Sequence, residues 1–117
     1  MQRSFEAYLW DIQDRGSAII KFVGSLTEEQ YIATELLKAA VERNPGVIGE
    51  AVVQIKIHFP DKIGLIDDYQ KIIGFRNQLI HNYDDLNHRQ IWMVIQNSLP
   101  DLLSQVGALL QQNPPTV

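Results

Sequence analysis

Residues 87–112 read NHRQIWMVIQNSLPDLLSQVGALLQQ, and in that stretch Ile91, Ile95, Leu99, Leu102, Val106 and Leu109 recur at steps of three and four. Such spacing lays apolar side chains along one face of an α-helix, whereas a strand would alternate at every second residue. Asn87 stands where a side-chain oxygen can cap the helix start. Pro100 lacks an amide hydrogen and predicts a kink or a division there. Asn113-Pro114-Pro115 stops the pattern, so residues 113–117 are expected to form a frayed tail.

The same helical period extends upstream. Phe5, Leu9, Ile12, Ile19 and Val23 predict a first helix over about residues 3–23, with Gly16 in phase on its apolar face and Gly24 at its end. Thr27 followed by Gln30 has the form of a capping box and predicts a second helix start. The stripe Leu37, Val41, Asn44, Ile48, Val52, Ile55 keeps phase through Asn44-Pro45-Gly46, which predicts one long segment kinked at the proline. Phe59 to Gly64 reads as a loop. A further helix is expected from Asp67 or Asp68, carboxylates suited to its N-terminus, to about residue 82. No run of residues favours a strand. The expectation is all-α: a single domain over residues 1–112, folded as an up-and-down bundle of four to five helices.

Composition narrows the chemistry. The 117 residues are 45% hydrophobic and 21% charged, a globular balance that can bury a core. With no cysteine there is no disulfide framework, no thiolate metal site and no thiol nucleophile. The charged start and the lack of a long apolar run predict no signal peptide and no membrane span, hence a soluble cytoplasmic protein. A net charge of -4 opposes generic DNA or RNA binding, so any RNA contact must be local.

Residues 76–83, Arg-Asn-Gln-Leu-Ile-His-Asn-Tyr, bring together a guanidinium, an imidazole and a phenol. A guanidinium fork can hold a phosphate, and an imidazole exchanges protons near neutral pH. Asn77 and His81 are four apart and share a helical stripe with Gly74, whose missing side chain lets a ligand or another backbone approach. Arg76 and His81 differ by about 140° on an ideal helix. One helix therefore does not aim both at one atom: either the long arginine reaches around, or a symmetric homodimer pairing this helix with itself supplies the partner group.

Arg76, His81 and Tyr83 together resemble the Arg-x4-His-x-Tyr signature of HepT-like toxins, a branch of the HEPN superfamily of small helical ribonucleases. Arg43-Asn44-Pro45-Gly46-Val47-Ile48-Gly49-Glu50-Ala51 and Ile72-Ile73-Gly74-Phe75-Arg76-Asn77 are similar to further segments of that family, as are Gln90-Ile91-Trp92 and Leu99-Pro100-Asp101-Leu102-Leu103. The resemblance spans nearly the whole chain. It implies a HEPN-like fold and a homodimeric endoribonuclease toxin that needs no metal or other cofactor. The implied partner is an MNT-type nucleotidyltransferase antitoxin. In this reading His81 takes the 2′-hydroxyl proton, Arg76 holds the scissile phosphate, and Asn77 orients His81 or a phosphate oxygen. Tyr83 would accept AMP from the antitoxin, while Gly74, Asn44 and Glu50 support the site.

Blander readings stand beside these. Arg76 can be a structural arginine paired with Glu50, Asp67 or Asp68, and His81 a histidine favoured by a helix C-terminus. Tyr83 can be a packed aromatic, and Asn44 a polar residue that fixes the kink. His58, His81 and His88 lack the spacing of a metal site. Asp84 and Asp85 read as a solvated turn, and Trp10 and Trp92 as core or dimer contacts. The alternative function is a catalytically silent helical partner of a nucleotidyltransferase that binds nucleotide or serves as scaffold.

Overall fold

The computed structural model describes residues 3–81 and 87–112, with the side chains of residues 35–37 and 39–44 outside that description. Regular structure among the described residues is entirely helical: α1 (Phe5–Val23), α2 (Glu28–Ala33), α3 (Glu35–His58), α4 (Tyr69–His81), α5 (His88–Met93) and α6 (Leu99–Gln112). The tail at 113–117 lies outside the described residues.

α1 runs through the centre of the molecule, packed between α3 and α6. Ser4 caps its start, accepting from the Ala7 amide at 3.1 Å, and Gly24 ends it at φ 54°, a left-handed conformation that costs glycine little. Its buried stripe is the expected one, Phe5, Leu9, Ile12, Ile19 and Val23, with Tyr8 added. Gly16 is in that stripe for a steric reason. A Cβ there would overlap the end of the Leu103 side chain, so the glycine sets how closely α1 and α6 approach.

The capping box forms as expected. The Thr27 hydroxyl accepts from the Gln30 amide at 3.2 Å, and Gln30 Oε1 accepts from the Thr27 amide at 2.9 Å. The expected single long helix is instead two. α2 stops at Ala33 because Thr34 adopts extended φ and ψ of -104° and 99°, its amide reaching only to the Tyr31 carbonyl. The Thr34 hydroxyl donates to the Gln30 carbonyl at 2.9 Å, offering that carbonyl a partner outside the helical ladder. Pro45, where the kink was expected, leaves α3 uninterrupted from Glu35 to His58. Ile48, Val52 and Ile55 are buried as the periodicity requires. The side chains of Leu37, Val41 and Asn44 lie outside the described residues.

α2 is anchored by Tyr31, fully buried against the Trp92 ring at 5.4 Å and the edge of His88 at 6.0 Å. Trp92 thus belongs to the core, while Trp10 is 49% exposed.

A 3-10 turn, Ile63–Leu65, carries the chain into α4. Asp68 precedes α4 at φ 57°, unusual for a residue with a side chain, and its carbonyl accepts from the Lys71 and Ile72 amides. The Asp67 amide donates across to Gln105 Oε1 at 2.9 Å, tying this corner to α6. Asn87 caps α5 as expected, accepting from the Arg89 and Gln90 amides at 3.0 and 3.2 Å. Between α5 and α6 the helix widens into a π turn, Val94–Ser98, in which the Leu99 amide bonds the Val94 carbonyl five residues back. This irregularity directly precedes Pro100, which cannot donate to the ladder. Ile91, Ile95, Leu99, Leu102, Val106 and Leu109 are all buried.

α4 packs on α3, and its other side faces α6 across a cleft of about 1160 Å³. The bundle is therefore closed along α4, α3, α1 and α6 and open between the two outer members.

Two of the helical glycines, Gly16 and Gly74, predict opposite responses in urea unfolding. Gly16→Leu overpacks the α1–α6 contact and should lower stability by about 1–3 kcal/mol. Gly74→Ala, with nothing within 4 Å of the new Cβ, should raise it by about 0.5–1 kcal/mol.

Candidate functional site

The seat of Arg76 is a place where α3 and α4 touch backbone to stem. A Cβ on Gly49 would overlap both Cβ and Cγ of Arg76, so only glycine lets the arginine stem lie flat against α3. From there the guanidinium turns to two partners. Nη2 donates to Glu50 Oε2 in a salt bridge, and Nη1 donates to Asn77 Oδ1 at 3.1 Å. Nε is buried without a hydrogen-bond partner among the described residues. The Arg76 side chain is 25% exposed and that of Glu50 45%, so the pair opens to solvent at its carboxylate end.

Glu50 is held in turn. Its Oε1 accepts from Gln54 Nε2 at 2.9 Å, and Gln54 Oε1 lies 3.2 Å from His58 Nε2. Residues 50, 54 and 58 stand one turn apart, so α3 carries a row of polar groups that ends on the motif arginine. Gly49 and Gln54 were not singled out by sequence reasoning. The signal for the first was the Gly49-Glu50 pair inside the family-like segment, and for the second the four-residue step from Glu50.

His81 closes α4 and is exposed. Asn77, one turn earlier, directs its oxygen to Arg76, which leaves its amide group as a donor. The structure thus brings Arg76, Asn77 and Glu50 together, with His81 farther along α4. Gly74 is exposed with open space around it and edges the cleft toward α6. Tyr83, Asp84 and Asp85 lie outside the described residues, as does the Asn44 side chain.

The exposed stripe of α3 that carries Glu50, Gln54 and His58 also presents Val47 and Ile57, and α4 adds Ile80. These three are 37%, 60% and 51% exposed. Apolar side chains therefore flank the polar row on the face that holds Arg76. The cleft between α4 and α6 lies on another side of α4, lined there by Lys71, Gly74, Phe75 and Gln78 and by none of Arg76, Asn77 and His81. Among the described residues no group of three or more His, Cys, Asp or Glu is placed to hold a metal ion. No helix among them is long and apolar enough to cross a membrane.

Comparison with known proteins identifies a family. The family model described as "Ribonuclease HepT-like" matches residues 12–109. A protein of Caldanaerobacter subterraneus subsp. tengcongensis named "Putative RNase" is 32% identical over 105 residues, covering 90% of this chain and 93% of its own. A Methanocaldococcus jannaschii protein of the same description is 27% identical, over 90% of this chain and 95% of its own. The "Probable ribonuclease HepT" of Thermococcus cleftensis is 28% identical, over 87% and 92%. No solved structure matches. The helical bundle, the seated arginine and the family match over most of its length lead to one statement: this chain belongs to the ribonuclease HepT-like family.

Proposed function

We propose that the protein is the toxin of a toxin-antitoxin pair, a cytoplasmic homodimeric endoribonuclease that cleaves RNA without a metal. The observation that carries this reading is Arg76, seated on Gly49 and held by Glu50 and Asn77 on an exposed face that ends in His81.

Glu50 and Asn77 fix the guanidinium plane, and its remaining N–H groups can bind a phosphate oxygen. The negative charge that grows on the equatorial oxygens in the transition state meets a cation already oriented for it. His81 takes the proton of a 2′-hydroxyl as its oxygen attacks the adjacent phosphorus. The new bond is P–O2′ and the broken bond is P–O5′. The leaving oxygen takes a proton from the His81 of a second copy or from water. Products are a 2′,3′-cyclic phosphate and a 5′-hydroxyl.

A second copy is favoured by the exposed Val47, Ile57 and Ile80 around the polar row. A two-fold pairing would bury them and bring two arginines and two histidines to one strand of RNA. AMP transferred to Tyr83 by an MNT-type nucleotidyltransferase antitoxin would add bulk and negative charge near Arg76, competing with the RNA phosphate.

A second reading keeps the fold and drops the chemistry: a silent partner of a nucleotidyltransferase that binds nucleotide or serves as scaffold. The observation in its favour is that Glu50 neutralises Arg76 in a chain of net charge -4. Incubation of the purified protein with total RNA in EDTA separates the two, since cleavage supports the toxin and intact RNA, with unimpeded growth on expression, supports the silent partner.

Arg76→Ala and His81→Ala should each reduce cleavage by at least roughly 100-fold with the helical circular dichroism unchanged. Retained activity in both would remove them from the site. Glu50→Ala should cost little stability, because the pair is partly exposed, and slow cleavage by roughly 10-fold to 100-fold through loss of arginine positioning. Glu50→Gln keeps a hydrogen-bond acceptor and should recover part of that loss. Tyr83→Phe should leave cleavage substantial while the partner and ATP no longer neutralise it, with intact-mass spectrometry reporting AMP on the unmodified sequence only.

A further inference from the structure

The bundle is open between α4 and α6, and this gap has a chemical character of its own. Ile72 and Phe75 of α4 face Val94, Leu99 and Leu102 across it, giving an apolar floor. Among the described residues that line it, Asp67, Asp68 and Asp101 stand at the rim against one cation, Lys71. The wall from Val94 to Ala108 is about 20 Å long, enough for three to four turns of a guest helix. The missing member of the bundle is thus a helix in both length and polarity.

We propose that the cleft between α4 and α6 is a docking groove for a cationic amphipathic helix of a partner protein. An apolar stripe at i, i+4 and i+7 would complete the core over Ile72, Phe75, Val94 and Leu99, and lysines or arginines flanking the stripe would meet the three carboxylates. The rim opposes other occupants. RNA phosphates meet two more negative than positive groups there. A second copy of this chain carries a net charge of -4 and presents Glu50 in the middle of its exposed α3 stripe. Two backbone irregularities among the described residues border this cleft: Asp68, held at φ 57°, and the π turn Val94–Ser98. Such departures are retained where the surrounding structure has a use for them. The groove is separate from the face that carries Arg76, so the proposal does not rest on the nuclease chemistry.

The test is a titration of the full chain, with its Ile, Leu and Val methyls labelled, by a capped 15-residue peptide bearing a leucine stripe flanked by lysines. Saturable shifts are expected at Ile72, Val94, Leu99 and Leu102, with Val47, Ile57 and Ile80 unmoved. The same peptide with glutamates for lysines should bind at least tenfold more weakly. Asp67→Asn, Asp68→Asn and Asp101→Asn combined should weaken the lysine peptide by a similar factor. Gly74→Phe, which projects a ring over the cleft edge from a position with open space, should do so without changing the methyl spectrum of the core. Equal binding of the two peptides, or shifts confined to Val47, Ile57 and Ile80, overturns the proposal. Shifts of the cleft methyls on dilution of the protein alone would overturn it too, by assigning the groove to a second copy. The two-peptide comparison uses the unmodified chain and stands even where a variant fails to fold.

Discussion

The approach of α4 to α3 at Gly49 is the contact on which the placement of Arg76 depends. Arginine stems are apolar and their heads are not, so a stem pressed against a helix must deliver its head to a partner nearby. Gly49 supplies the flat surface and Glu50, the next residue, supplies the partner. Any larger residue at 49 would push α4 outward and carry the guanidinium away from both Glu50 and the polar row behind it. The dependence is steric first and electrostatic second. The ion pair alone is partly exposed and contributes little to folding, whereas the glycine decides where the charge can sit.

In the proposed function, that ordering lets Glu50 both compete with an anion and prepare Arg76 for it. A lone guanidinium on a flexible stem would sample many rotamers, and each RNA phosphate would have to order it. Held by Glu50 and Asn77, the fork is already planar and fixed, at the cost of sharing its charge. The Nε hydrogen is buried and without a partner among the described residues.

The helical fold was legible because the signals were local and mutually consistent. The Thr27–Gln30 box, the Asn87 cap and the stripe from Ile91 to Leu109 each name their own partners within a few residues, and each formed as read. The failure at Thr34 has a physical cause of the same scale. Proline at 45 drew attention because it removes a donor, yet a helix can continue past one lost bond when its buried face is intact. Thr34 keeps its donor and leaves the helical conformation, a choice set by its hydroxyl and by the docking of Tyr31 on Trp92, about half the chain away in sequence. Periodicity holds no record of that contact. In the candidate site, the pairing of Arg76 with Glu50 stood among the readings open at the sequence level. Gly49 as the seat did not, because its role exists only once α3 and α4 are side by side.

The two sides of α4 impose different demands on one helix of thirteen residues. In the proposed function one side keeps Arg76, Asn77 and His81 open to an anion, beside an exposed apolar stripe. The other carries Lys71, Gly74, Phe75 and Gln78 along an acid-rimmed gap that disfavours the same anion. A helix packed on two sides would hold its register through its core contacts. α4 is packed chiefly on α3, and its opposite side borders the gap toward α6. The cleft and the seat of Arg76 therefore meet on a single helix, with Gly74 at the border between the two sides.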